Sequence, residues 1–162
     1  MYQLPDMLIR FLIIKSGREI CKKTMESNYN DPNQVVLDFF KAKAAAYISP
    51  MGVKAMLHRG AREMVLVDVR HPSPDLTWRI PGSLAIPATT VCDHLSDIPK
   101  DKLIVPYCWD TWCSLATTAA IILLEHGYRV KELYGGVAAW QSLHLPEEQL
   151  ALETNVTPKC AC

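Results

Sequence analysis

The sequence has no excess of charge of either sign: seventeen Lys and Arg balance seventeen Asp and Glu over 162 residues. The signs are interspersed, so there is neither the basic stripe that holds nucleic acid nor an acidic block that would solvate a tail. Also missing is an apolar run long enough to cross a bilayer. The longest near the start, "MLIRFLII", is broken by Arg10, preceded by Asp6 and followed by no small-residue cleavage site, whereas a span needs roughly 20 apolar residues. Nucleic acid and membrane are therefore not expected as partners, and the expected location is cytoplasmic. No segment repeats with a period of about 20–50 residues, which excludes a solenoid, and none is of low complexity. The six cysteines lack regular spacing, in a chain that is 49% hydrophobic. Such a chain can build its core without covalent staples, so thiol chemistry or simple burial is favoured over a disulfide framework.

What is present is enough for one well-packed core and too little for two. Residues 1–33 carry an apolar patch, the basic "CKK" and the turn-forming "ESNYNDPN". They read as an N-terminal extension and a candidate surface for a homodimer. Residues 34–145 read as the domain. Residues 146–162, with a polar leader into "PKCAC", read as a C-terminal tail whose Cys160 and Cys162 fit disorder better than a metal site. No metal or cofactor is expected, since the five histidines are scattered and Cys21 and Cys92 have no motif around them.

Within the domain, "QVVLDFFKAKAAA" (34–46) has helical spacing. "ISPMGVKAMLHRG" follows with Ser49 as N-cap, Pro50 at the first helical position and Gly60 past the end. Three short apolar runs, "EMVLVDVR" (63–70), "SLAIP" (83–87) and "KLIVPY" (102–107), suit a parallel sheet buried on both faces; "RVKELY" (129–134) is a weaker fourth. Pro106 marks the end of its strand. "SLATTAAIILLEHG" reads as a helix apolar on nearly all sides and stopped by Gly127. Strands alternating with helices imply an open α/β sheet with right-handed crossovers.

Sites in such sheets form beyond the carboxyl ends of strands. Cys108 stands there, at the head of "CWDTWC" and six residues before a helix. A tight turn at that place directs backbone amides inward, and with a helix N-terminus it favours a thiolate.

The series "LVDVR", "RIPGSLAIP", "IVPYC" with its loop into a helix, and "LYGGVAAW" resembles the rhodanese-like domain over about residues 47–144. The resemblance implies an open, doubly wound, mainly parallel five-stranded sheet with helices on both faces. It implies a sulfurtransferase in which Cys108 takes sulfane sulfur from a donor, holds it as a persulfide and passes it to a thiol or other nucleophilic acceptor. The amides of Trp109, Asp110, Thr111, Trp112, Cys113 and Ser114 would cradle that sulfur. Related phosphatase loops are one residue longer.

The loop departs from the family pattern. It has no glycine and no cation between Cys108 and Ser114, and Cys113 stands where an arginine is common. Asp110 adds a negative charge that disfavours both thiosulfate and the thiolate. Cations from elsewhere would be Arg70 and Arg79, the latter where the family often has histidine; the competing role for both is an ion pair, with Asp68 or Asp75. Cys113 is either a resolving thiol for Cys108, given an approach of the two Cα atoms to within about 7 Å, or a small core residue. Trp109 and Trp112 either wall a donor or pack. Three functions follow: a Cys108 sulfurtransferase, a thiol redox protein using Cys108 and Cys113, and a non-catalytic module binding a partner through Trp109 and Trp112.

Overall fold

A computed structural model describes residues 31–60 and 63–150. The expectations for most of the N-terminal extension, and for Cys160 and Cys162, lie outside the described residues. Helix α1 (Pro32–Ala46) is capped by Asp31, whose carboxylate accepts from the Asn33 amide at 2.9 Å. Strand β1 (Tyr47–Ile48) leads to α2 (Pro50–His58). Ser49 Oγ takes the Gly52 amide, Pro50 sits where its missing N–H costs nothing, and Gly60 follows with a φ of 96°. All three match the sequence reading.

The chain continues through β2 (Met64–Asp68), β3 (Trp78–Arg79), β4 (Leu84–Ala85) and a 3₁₀ segment (Ala88–Asp97). It then forms β5 (Leu103–Tyr107), α3 (Leu115–Glu125), β6 (Arg129–Val130), β7 (Glu132–Leu133), α4 (Gly136–Ser142) and β8 (Glu148–Gln149). Four parallel strands run in the order β4-β2-β5-β6. The continuous ladder among the described residues thus holds four strands, where the family resemblance implied five. The segment running from β6 to β7 explains the difference, because β6 pairs with β5 while β7 pairs in parallel with β1. The β5–β6 register stops at Ile104, two residues before Pro106, whose nitrogen has no proton to continue a ladder. Pro106 therefore ends one edge of β5 while the strand itself, in register with β2, runs on to Tyr107.

The sheet is covered on both faces, as a period of two along its strands requires. Val67 and Ile104 face a core with Val91, Ala116, Ala119 and Leu123, contributed by the 3₁₀ segment and α3. Leu66, Val105 and Tyr107 face the other core, with Val53 of α2 and Val137 and Trp140 of α4. Helix α3 departs from the sequence reading, for Ile121 and Leu124 are exposed and only Ala116, Ala119 and Leu123 are buried. Its small residues mark the face against the sheet, since they allow the close approach that large ones would block.

Residues 146–150, expected in the tail, are paired with the body. Strand β8 is antiparallel to β3, and the Leu150 amide donates to the Thr77 carbonyl. Trp140 Nε1 donates to the Pro146 carbonyl at 2.8 Å. A polar sequence in "EEQ" hides this pairing because a two-residue edge ladder needs no apolar pattern.

Candidate active site

Strand β5 delivers Cys108 to the carboxyl edge of the sheet, and the loop returns into α3 at Ser114, whose carbonyl accepts from the Thr118 amide and hydroxyl. Cys108 is 1% exposed and belongs to the core on the α3 face. It is joined to Cys113 in a disulfide, with Cα atoms 6.3 Å apart. The approach that sequence left open is therefore made, and Cys113 is bonded across the ring of the loop.

Two anchors hold the start of the loop. The Val137 and Ala138 amides, at the start of α4, donate to the carbonyls of Cys108 and Trp109, each at 2.9 Å. Gly136 makes this clasp feasible. A Cβ there would stand 2.5 Å from the Cys108 carbonyl oxygen, and its φ of 57° is one that side chains resist. The loop itself has no glycine, so the close approach is supplied by its neighbour.

Arg70 lies beneath Trp109, its guanidinium carbon 4.6 Å from the indole centroid, with the rings of Trp78 and Tyr107 also within cation–π range. It is buried and paired with buried Asp68, Nε to Oδ1 at 2.8 Å and Nη2 to Oδ2 at 2.6 Å, and Nη2 also donates to the Trp78 carbonyl. This fork-to-fork pair satisfies most of a charge that would otherwise be costly to bury; Nη1 makes no hydrogen bond among the described residues. Tyr107 locks the same layer by accepting from the Ile80 amide and bonding Ser83, and burial pushes its phenol well above the ordinary range. Arg79 turns to the opposite end of the chain. Its partner is Glu148, Nη2 to Oε1 at 2.5 Å, rather than Asp68 or Asp75. That bond holds Glu148 below the usual carboxylate range and raises the guanidinium. Neither arginine is thus a free cation beside Cys108.

The cradle is altered by Asp110. Its Oδ1 accepts from the amides of Trp112, at 2.8 Å, and Cys113, at 3.2 Å. A carboxylate of the chain takes the place an outside anion would have had on those two donors. The two tryptophans part company: Trp109 packs on both cores, whereas Trp112 is 92% exposed.

Trp112 stands at a cleft of about 590 Å³ between the loop, α1 and the end of β7. Thr111, Cys113 and Ser114 line it from the loop, facing Phe39, Lys43 and Tyr47. Among the described residues Lys43 is the single cation of the lining and Glu132 the single anion. Burial raises the Glu132 carboxyl above its ordinary value, partly offset by the Thr117 hydroxyl that donates to it at 2.9 Å. Sequence reading missed this wall. Phe39 and Lys43, four residues apart, share one face of α1, with Tyr47 following in β1, but what that face opposes depends on β1 pairing with β7.

No described helix is long and apolar enough to cross a membrane. Residues 49–143 match the rhodanese-like domain family. The chain is 35% identical over 85 residues to a sulfurtransferase of Allochromatium vinosum, covering 52% of this chain and 78% of that one. It is also 35% identical over 91 residues to the HTH-type transcriptional regulator Rv0324 of Mycobacterium tuberculosis, and spans only 40% of that regulator's length against 56% of its own. A full-length protein from Lactobacillus plantarum superposes with a TM-score of 0.69 at 27% identity, over 73% of this chain and 99% of that one. With a cysteine-headed loop closing the central strand of a parallel sheet clad on both faces, and a family match over residues 49–143, the chain belongs to the rhodanese-like domain family.

Proposed function

We propose that this protein is a sulfurtransferase that carries sulfane sulfur as a persulfide on Cys108. The supporting observation is the seat of Cys108 at the end of β5, clasped through its carbonyl by α4 and shielded from solvent, where a persulfide would be protected from stray thiols. Reduction of the bond to Cys113 frees the nucleophile. The Cys108 thiolate then attacks the outer sulfur of a donor, whose thiol leaves. Donors without a full negative charge suit the site better than thiosulfate, because Asp110 repels anions and no described cation of the loop offsets it. The acceptor is a thiol or another nucleophile, in a cytoplasmic setting that keeps Cys108 reduced between turnovers. The unit responsible is the segment from residue 34 onward, with β8 as its last pairing. Pre-reduced protein carrying Cys113→Ser, treated with glutathione persulfide, should gain about 32 Da on Cys108, and adding Cys108→Ser should abolish the gain. A gain unchanged in Cys108→Ser refutes the assignment.

A second reading is favoured by the bond between Cys108 and Cys113: a thiol/disulfide redox protein in which the pair cycles without sulfur transfer. It predicts exchange with a reduced dithiol at full rate and no mass gain with the persulfide donor.

A further inference from the structure

The two sulfurs of the loop have opposite access. Cys108 is packed in the core of the α3 face, whereas Cys113 is half-buried and lines the cleft beneath α1. Thiol–disulfide exchange requires the attacking thiolate to approach the chosen sulfur from the side away from its partner, and access selects which sulfur is attacked. Cys113 borders the open cleft, whereas Cys108 is almost wholly enclosed by the core under β5.

A sulfur held on Cys108 meets a second asymmetry. Two of the loop amides that would stabilise an anionic persulfide are engaged by Asp110, whose charge also opposes it. An outside acceptor must reach a buried atom, whereas Cys113 already lies within bonding range, as the 6.3 Å between Cα atoms shows.

We propose that Cys113 intercepts the sulfur carried on Cys108 and releases it as hydrosulfide, and that a dithiol entering the α1 cleft restores the pair by attacking Cys113, making the protein a sulfane-sulfur reductase. This rests on the persulfide reading of Cys108. In the first step the Cys113 thiolate attacks Cys108 Sγ. The bond between Cys108 Sγ and the sulfane sulfur breaks, the bond between the two Sγ atoms forms, and hydrosulfide leaves with the electron pair. The sulfane sulfur is reduced and the two cysteines are oxidised. In the second step one thiolate of the dithiol attacks Cys113 Sγ from the cleft and expels the Cys108 thiolate. The second thiolate of the dithiol closes on the first, expels the Cys113 thiolate and leaves as a cyclic disulfide. The sum converts one persulfide and one dithiol into the donor's thiol, hydrogen sulfide and one disulfide.

The test uses the full chain, reduced and freed of reductant, with glutathione persulfide as donor; background is taken from the variant lacking both Cys108 and Cys113. Wild type should release about one equivalent of sulfide per chain and end with the 108–113 bond closed; Cys113→Ser should release at least about tenfold less and keep the extra sulfur on Cys108. No extra sulfur on Cys108 in Cys113→Ser overturns the persulfide reading and this proposal with it. Extra sulfur that stays on wild-type Cys108, or moves to Cys113, without sulfide release overturns the proposal alone. The point of entry is read separately, by giving the oxidised protein glutathione, quenching in acid and mapping the mixed disulfide. At least about tenfold more glutathione on Cys113 than on Cys108 is expected, and the reverse overturns the cleft as the route.

Discussion

The inner half of the loop, Cys108 and Trp109, is gripped from behind by two amides of α4 and from beneath by the Arg70 guanidinium. The outer half, Thr111 to Cys113, is held to the loop by the Asp110 carboxylate and the disulfide, and it borders an open cleft with Trp112 exposed at its edge. The same six residues thus combine a fixed sulfur position with an approachable one. The difference shows that burial and access are divided between two cysteines instead of being compromised in one.

The inner grip is broken most severely at Arg70. Arg70→Ala leaves Asp68 buried without its partner and should cost about 3–5 kcal/mol in denaturant unfolding; an effect under about 1 kcal/mol would mean that the pair is not desolvated as described. Gly136→Ala should cost about 2–4 kcal/mol, combining an unfavourable φ with a contact against the Cys108 carbonyl. It should also loosen Cys108, read as faster alkylation in the reduced protein. Asp110→Ala touches the outer half. It should cost only about 1 kcal/mol while raising the alkylation rate of reduced Cys108 several-fold, since a negative charge near the thiolate is removed. Trp112→Ala should move stability by less than about 0.5 kcal/mol, because so exposed a ring has little packing to lose.

The smallest effects are pH slopes of opposite sign. Glu132 has a raised carboxyl, so its contribution to stability is full below the ordinary value of 4.5 and is lost as pH rises through the raised folded value. Glu148 is lowered by its bond to Arg79, so its contribution is present above 4.5 and is lost as pH falls through the depressed value. Thermal unfolding of Glu132→Gln and Glu148→Gln across pH 3 to 7, a range of about four units around these values, should flatten the slope in opposite directions. Slopes of the same sign would contradict the assignment of burial to one and pairing to the other.

Most of the sheet was legible because β2 and β5 are buried on both faces and must read as apolar runs, and because Ser49, Pro50 and Gly60 have single backbone uses. Cys108 was legible from its place after the "LIVPY" strand. Less legible were the features that depend on residues far apart in sequence. The choice of Glu148 by Arg79 joins positions 69 apart, and the pairing of β8 with β3 around it likewise leaves no local pattern. The role of Asp110 was half visible: its charge could be read as hostile to anions, but its occupation of two loop amides needed the curvature of the turn. The four-stranded ladder and the β1–β7 pair together are consistent with the five strands expected, but the loss of one edge of β5 at Pro106 is something strand propensity does not foresee.

The clasp between α4 and the start of the loop has a consequence for loop length. Since the carbonyls of residues 108 and 109 are fixed to residues 137 and 138, an added residue cannot be absorbed there without unseating the helix. It can be absorbed between Asp110 and Cys113, on the side facing the cleft. The scaffold can therefore be enlarged on one flank alone, so that a ring sized for a single sulfur atom could widen toward one sized for a tetrahedral oxyanion while its nucleophile stays where it is.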